Sequence, residues 1–250
     1  MDIHSENRKI LGVIGGLGPM ASAYFMRLVT EMTDAKTDQE HIEILLHSKP
    51  QIPDRTGFII GESKESPLPG MLEAGQGLRR SGADIIAIPC VTAHFFQKTL
   101  EEEIGIPVLN AIEDAAEVLK QAGVKTAGIM ATDGTVKSEL FPKVFKDHGL
   151  ECVIPSADRQ RDVMHVIYHN VKAGLPIEKD RFMGITRELF DKGAEAVILG
   201  CTELSIMKRD NPDILQWGGA RHGFLDILEV LAQSSVRKCG KLKAEYEKLI

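Results

Sequence analysis

Two stretches of this 250-residue chain share an unusual design. "IIAIPCVTAHFF" (85–96) and "AVILGCTELSIM" (196–207) each open as a buried strand and close like the start of a helix. A cysteine stands at each join, Cys90 and Cys201, 111 residues apart. Each thiol precedes an apparent helix N-terminus, with Thr92 and Thr202 as candidate caps. Free N–H groups and the helix dipole there favour an anion, which lowers a thiol pKa from about 8.5 toward neutrality. Chemistry with one thiol needs only one such residue beside a base, usually histidine. Two equivalent thiols suit a reaction with two symmetric halves. Inversion of a stereocentre is such a reaction: one thiolate removes a proton from one face, and the opposite thiol delivers one to the other. Position alone also fits two small hydrophobes buried in a core.

The elements that must carry these thiols repeat along the chain. Short β-branched runs alternate with amphipathic stretches, the pattern of βα units and a parallel sheet. Strands are predicted at "KILGVIG", "IEILLHS", "ADIIAIPC", "IPVLN", "TAGIMAT", "ECVIPS", "EAVILGC" and around Gly223–Asp226. Helices are predicted near 20–34, 66–81, 93–103, 111–122, 135–148, 158–173, 177–192 and 226–248. "KILGVIGGLGP" from Lys9 matches "KTAGIMATDGT" from Lys125 at an offset of 116, and "GADIIAIPC" from Gly82 matches "GAEAVILGC" from Gly193 at 111. A third block pairs Asn110 with Asp226 and Glu113 with Glu229, again at 116. Three blocks in one order imply a duplicated unit. The expected fold is α/β: two similar Rossmann-like domains with parallel sheets, related by an approximate twofold. The first should hold residues 1–115 plus about 226–250, the second about 116–225. Ligands of open α/β sheets bind beyond the carboxyl ends of the strands. Both cysteines, the Gly-rich turn after Ile14 and Thr132 after Met130 lie at such ends, so facing domains would bring them to one cleft.

Composition narrows the function. A net charge of −6, with no Lys/Arg run interleaved with aromatics, argues against nucleic acid or an anionic membrane surface as partner. The start "MDIHSENRK" lacks an apolar signal core, and no apolar run approaches the roughly 20 residues that span a bilayer, so a cytoplasmic location is expected. Four cysteines are too sparse for a disulfide scaffold. Cys90 and His94 are four apart and could share a metal, but no C-x-x-C occurs and no histidine follows Cys201 until His222. No metal is expected.

"GVIGGLGPMAS" (12–22), "KPQIPDRT" (49–56), "PCVTAH" (89–94), "ATDGT" (131–135), "VKAG" (171–174) and "GCTEL" (200–204) occur in the order found in the aspartate/glutamate racemase superfamily. The chain resembles most its aspartate racemase branch, over nearly the whole length. The resemblance implies a cofactor-independent enzyme of two α/β domains with the site between them, usually a homodimer, acting on an acidic amino acid. It implies Cys90 and Cys201 as the catalytic thiols and Arg55 as the ligand of a substrate carboxylate, with Lys172 contributing to the same recognition. Thr92, Thr132 and Thr202 would hold the amino acid, and Met20 would line the pocket. Val91 stands where the family usually has asparagine.

Other readings remain open on the residues. "GLGPMA" (16–21) fits the G-x-G-x-x-A dinucleotide pattern. The second strand nevertheless ends "LLHSKP", without the acidic residue that pattern wants. A related dicarboxylate isomerase or decarboxylase, or a non-catalytic binding protein for an acidic amino acid, would share much of this sequence.

Overall fold

The computed structural model describes residues 8–215 and 223–250; residues 1–7 of the polar start and His222 lie outside the described residues. The first half runs β1 (Leu11–Gly15), α1 (Pro19–Met32), β2 (Ile44–Ser48), α2 (Arg55–Ile60), α3 (Leu68–Arg80), β3 (Ile85–Ala87), α4 (Gln97–Ile104) and α5 (Ala111–Gln121). The second runs β4 (Thr126–Met130), α6 (Asp133–Lys137), α7 (Leu140–Asp147), β5 (Glu151–Val153), α8 (Ala157–Met164), α9 (Lys179–Asp191), β6 (Ala196–Leu199), α10 (Thr202–Asp210) and β7 (Phe224–Asp226). A last helix, α11 (Ile227–Cys239), packs against α1 and α5.

Among the described residues all strand pairs are parallel, in two sheets of order β2-β1-β3 and β5-β4-β6-β7. The duplication read from the sequence is present in the hydrogen bonds. Asp84 accepts from the Ile10 amide and donates its own amide to the Ile10 carbonyl. Glu195 does the same with Thr126, at offsets of 111 and 116. Gly82 (φ 101°) and Gly193 (φ 94°) make the turn before each of these strands, a conformation that disfavours any side chain. Asn110 caps α5 and Asp226 caps α11 through their side-chain oxygens. Each half has its own apolar core, around Met71, Ile86 and Leu100 in the first and Phe182, Ile185 and Leu199 in the second. A third cluster, with Phe25, Phe141 and Phe145, ties the halves together through α1, α7 and α11.

Several elements differ from expectation. "IPVLN" is not a strand but a single bridge, Val108 to Ile86; Pro107 has no N–H to extend the ladder. The helix expected to 248 stops at Cys239. The remaining tail instead bridges Leu242 to Thr33 beside α1. The 135–148 helix breaks at Glu139, which takes a left-handed φ of 55°. The one near 93–103 starts as a 3-10 turn, Val91–Phe96. α8 widens into a π-helical turn, His165–Val171. One helix lay outside the predicted set, α2, short and at the site; α10 continues the helix start read after Cys201. Among the described residues no helix is long and apolar enough to cross a membrane.

Candidate active site

Cys90, just after β3, and Cys201, just after β6, line one cavity at the carboxyl ends of the two sheets. Arg55, Thr92, Thr132, Lys172 and Thr202 line it too. Its free volume is about 10 Å³, room for a single water, so the two walls are closed on each other. Met20 does not line this cavity: it is 57% exposed and borders a neighbouring cleft, together with Arg55 and Lys172.

On the first wall, the cysteine itself occupies the cap position of the 3-10 turn; Thr92 does not cap it. The Cys90 carbonyl accepts from Nδ1 of His94 (3.1 Å), while His94 Nε2 accepts from the Ala111 amide (3.1 Å). These partners fix the neutral tautomer protonated at Nδ1, and burial pushes the His94 pKa down. Both ring nitrogens are therefore committed to backbone, which answers the Cys90/His94 metal reading. The histidine anchors the turn to α5. Arg55, 92% buried, donates Nη1 to the carbonyls of Ile52 (3.3 Å) and Pro53 (3.0 Å) and Nη2 to that of Leu17 (2.9 Å). Nε has no partner. A guanidinium has five N–H donors, so Nε–H and one Nη2–H take no carbonyl, and the guanidinium hydrogen-bonds the adjoining Cys90 sulfur. Burial presses the Arg55 pKa down, but the adjoining Cys90 thiol and then Asp54 outweigh it, and the net shift is upward.

The second wall is built differently. Cys201 caps α10, and its thiol donates to Oε2 of Glu203 (2.9 Å). Burial first, then the Glu203 carboxylate, hold the Cys201 pKa well above its ordinary value. This reverses the lowering expected at a helix N-terminus: desolvation and an adjacent negative charge outweigh the dipole. Thr202 is not a cap either; its hydroxyl donates to the same Oε2 (3.3 Å). Lys172 Nζ lies 3.8 Å from Glu203 Oε1 and 4.0 Å over the Tyr168 ring. Burial lowers the Lys172 pKa, but Glu203 and Tyr168 raise it further, so the ammonium stays charged. Tyr168 and Lys172 both belong to the π-helical turn and its cap, a distortion frequent at functional sites.

A ring of three buried hydroxyls joins the walls. Thr92 Oγ1 lies 2.9 Å from that of Thr132 and 3.0 Å from that of Thr135, and the last two are 3.2 Å apart. Close packing continues beside it. A Cβ on Gly134 would come within 2.9 Å of the Thr56 Cα, so α6 meets α2 at the nearest approach a glycine allows. Lys137 Nζ donates to the Ile60 carbonyl (2.9 Å) across the same contact.

Sequence reasoning did not single out Asp54, Thr56, Tyr168 or Glu203, all of which line the cavity. Asp54 and Glu203 lie inside the quoted motifs "IPDRT" and "GCTEL"; a carboxylate beside a candidate thiol or cation was the available signal.

The family description Asp/Glu/Hydantoin racemase matches residues 14–227. Among characterised relatives, the broad specificity amino-acid racemase of Bacillus subtilis is 23% identical over 205 residues, 78% of this chain and 86% of that one. The glutamate racemase of Aquifex pyrophilus is 29% identical over 59% of this chain and 57% of its own length. Among solved structures, the Picrophilus torridus aspartate racemase is 30% identical with a TM-score of 0.79, covering 95% of this chain and 97% of its own. A Yersinia pestis protein described as a putative Asp/Glu racemase shares the fold at 21% identity and a TM-score of 0.78, over 92% of this chain and 99% of its own. With the match spanning most of its length and both sheets accounted for, this chain belongs to the Asp/Glu/hydantoin racemase family.

Proposed function

We propose that this protein is an amino-acid racemase that inverts the Cα of an acidic amino acid, aspartate first, by proton transfer between two thiols and without a cofactor. The observation that carries this reading is the pair Cys90 and Cys201 on one closed cavity, each held at a strand end. One thiolate takes the Cα proton from one face, and the other thiol gives its proton to the opposite face. After each turnover the two sulfurs have exchanged protonation states, so the reverse reaction starts from the product's side. The protonated partner in the free enzyme is Cys201, whose thiol donates to Glu203. Glu203 can accept the proton when Cys201 must act as base.

Arg55 and Lys172 are the cations available to a dicarboxylate. The Nε–H and Nη2–H of Arg55 that take no carbonyl can bind one carboxylate, and the Lys172 ammonium a second. The threonine hydroxyls suit the amino-acid head group. A cavity the size of one water cannot hold a substrate, so the walls must part for binding and close over it, excluding water from the carbanion-like transition state. The 30% identity to an aspartate racemase over nearly the full length supports the choice of substrate.

Proton NMR in D₂O tests the reading. Single enantiomers of aspartate, glutamate and neutral amino acids are incubated with enzyme, and the Cα–H signal is followed. Loss of that signal for aspartate, with appearance of the other enantiomer, is the expected result. Saturable binding without exchange would instead mark a non-catalytic binding protein.

A further inference from the structure

The closed cavity has a neighbour. A cleft of about 480 Å³ shares four of its lining residues with the thiol cavity: Asp54, Arg55, Lys172 and Glu203. These four form the boundary between the two spaces. Two carry positive charge and two are carboxylates, so the boundary as a whole has no net charge to demand an anion. Beyond it the walls turn apolar, with Met20, Pro50, Ile52, Val171 and Ile206. Ile52 and Ile206 are buried, whereas Met20 on the first turn of α1 is 57% exposed beside the open space. An unbranched thioether in that position can fold over ligands of different shape. The loop that brings it there is held close: a Cβ on Gly18 would lie 3.2 Å from Glu203 Oε1.

The inner cavity offers about 10 Å³ of free space and the cleft beside it about 480 Å³. The adjoining cleft is the space into which a side chain can extend. We propose that this cleft is a side-chain subsite for unbranched apolar chains, such as those of norleucine and methionine, so that the site turns over long neutral amino acids as well as acidic ones. The inference rests on the racemase reading above and extends it. The chain crosses the charged boundary as hydrocarbon and gains contact with Met20, Val171 and Ile206. A short acidic chain stops at Arg55 and Lys172. Both modes use the same two thiols.

The test is the length series alanine, 2-aminobutyrate, norvaline and norleucine, read as Cα-proton exchange in D₂O, with aspartate alongside. Burial of one methylene is worth about 0.8 kcal/mol, so kcat/KM should rise roughly threefold to fourfold per added carbon. The ratio of norleucine to alanine should then exceed about tenfold in the wild type. Met20→Ala, which removes one wall, and Val171→Phe, which fills the cleft, should both lower that ratio, and taking a ratio cancels general damage to the enzyme. A wild-type ratio of one or less, or a ratio unmoved in both variants, overturns the subsite. Exchange of aspartate with none of the neutral series overturns it while leaving the racemase reading intact. No exchange of any amino acid overturns both.

Discussion

The wall carrying Cys90 and the wall carrying Cys201 come from the same folding unit and differ in charge. Cys90 follows β3, the edge strand of its parallel sheet, and Cys201 follows β6, an inner strand of the other; both turns are tied to the next helix start. His94 holds the Ala111 amide at α5, and Ser205, its equivalent at offset 111, donates to Asp226 (2.5 Å) at α11. The same offset sets Thr92 opposite Glu203 and Val91 opposite Thr202. So the second wall puts a carboxylate where the first puts a hydroxyl, and the first keeps a cation, Arg55, beside its sulfur. A duplicated backbone can place two thiols symmetrically. The residues one and two positions on differ between the walls, and on the second wall Glu203 takes the hydrogen bond of the thiol.

Breaking the cation side should have the largest effect short of removing a sulfur. Arg55→Ala leaves the Leu17 and Pro53 carbonyls without their donor and strips the positive charge from the Cys90 wall. Hydrogen bonds to a charged group are worth about 1.5–3 kcal/mol, so kcat/KM for aspartate should fall about a hundredfold. Arg55→Lys should not rescue it, because one ammonium cannot span three carbonyls and a ligand. Near-normal kinetics in either variant would return Arg55 to a purely structural role.

Glu203→Gln attacks the other side and should cost about tenfold, the worth of one charge-assisted hydrogen bond. Its sharper signature is in pH. With its pKa above the ordinary 9.0, Cys201 keeps its proton as pH rises through the usual cysteine range. The alkaline limb of kcat/KM should therefore lie above pH 9.0 in the wild type. Removing the carboxylate removes one of the two causes of the upward shift, and the limb should move to lower pH. A limb that stays in place would separate Glu203 from the titration.

Thr135→Val is the mildest probe. It deletes one hydroxyl of the ring and keeps the shape, while Thr92 and Thr132 remain 2.9 Å apart. About 1 kcal/mol corresponds to roughly fivefold in KM. An effect on melting temperature alone, with unchanged KM, would mean the ring serves the contact between α2 and α6 and not the ligand.

The symmetric part of this design was legible in the sequence. Gly82 and Gly193, and Asn110 and Asp226, are fixed by backbone needs that recur with the fold, so they recur in the sequence, and the two cysteines recur at the same strand ends. The asymmetric part was harder to read. Glu203 shows as a buried thiol partner only once α10 is seen to start at Thr202. Tyr168 reaches the cavity from a π-helical turn, whose shift in register no 3.6-residue period reveals. The hydroxyl ring joins residues 92, 132 and 135, and contacts between loops that far apart leave no local pattern. Met20 was placed on the pocket by resemblance, and the helix that carries it turns it toward the next cleft.

The two-thiol account meets its most direct test in single-sulfur variants. In D₂O, Cys90→Ala and Cys201→Ala should each lose racemisation in both directions, because every turnover needs a donor and an acceptor. Each should still exchange the Cα proton of the one enantiomer that faces its remaining thiol, and the two variants should choose opposite enantiomers. A variant that still racemises well, or two variants that exchange the same enantiomer, would contradict the placement of the sulfurs on opposite faces of one carbon.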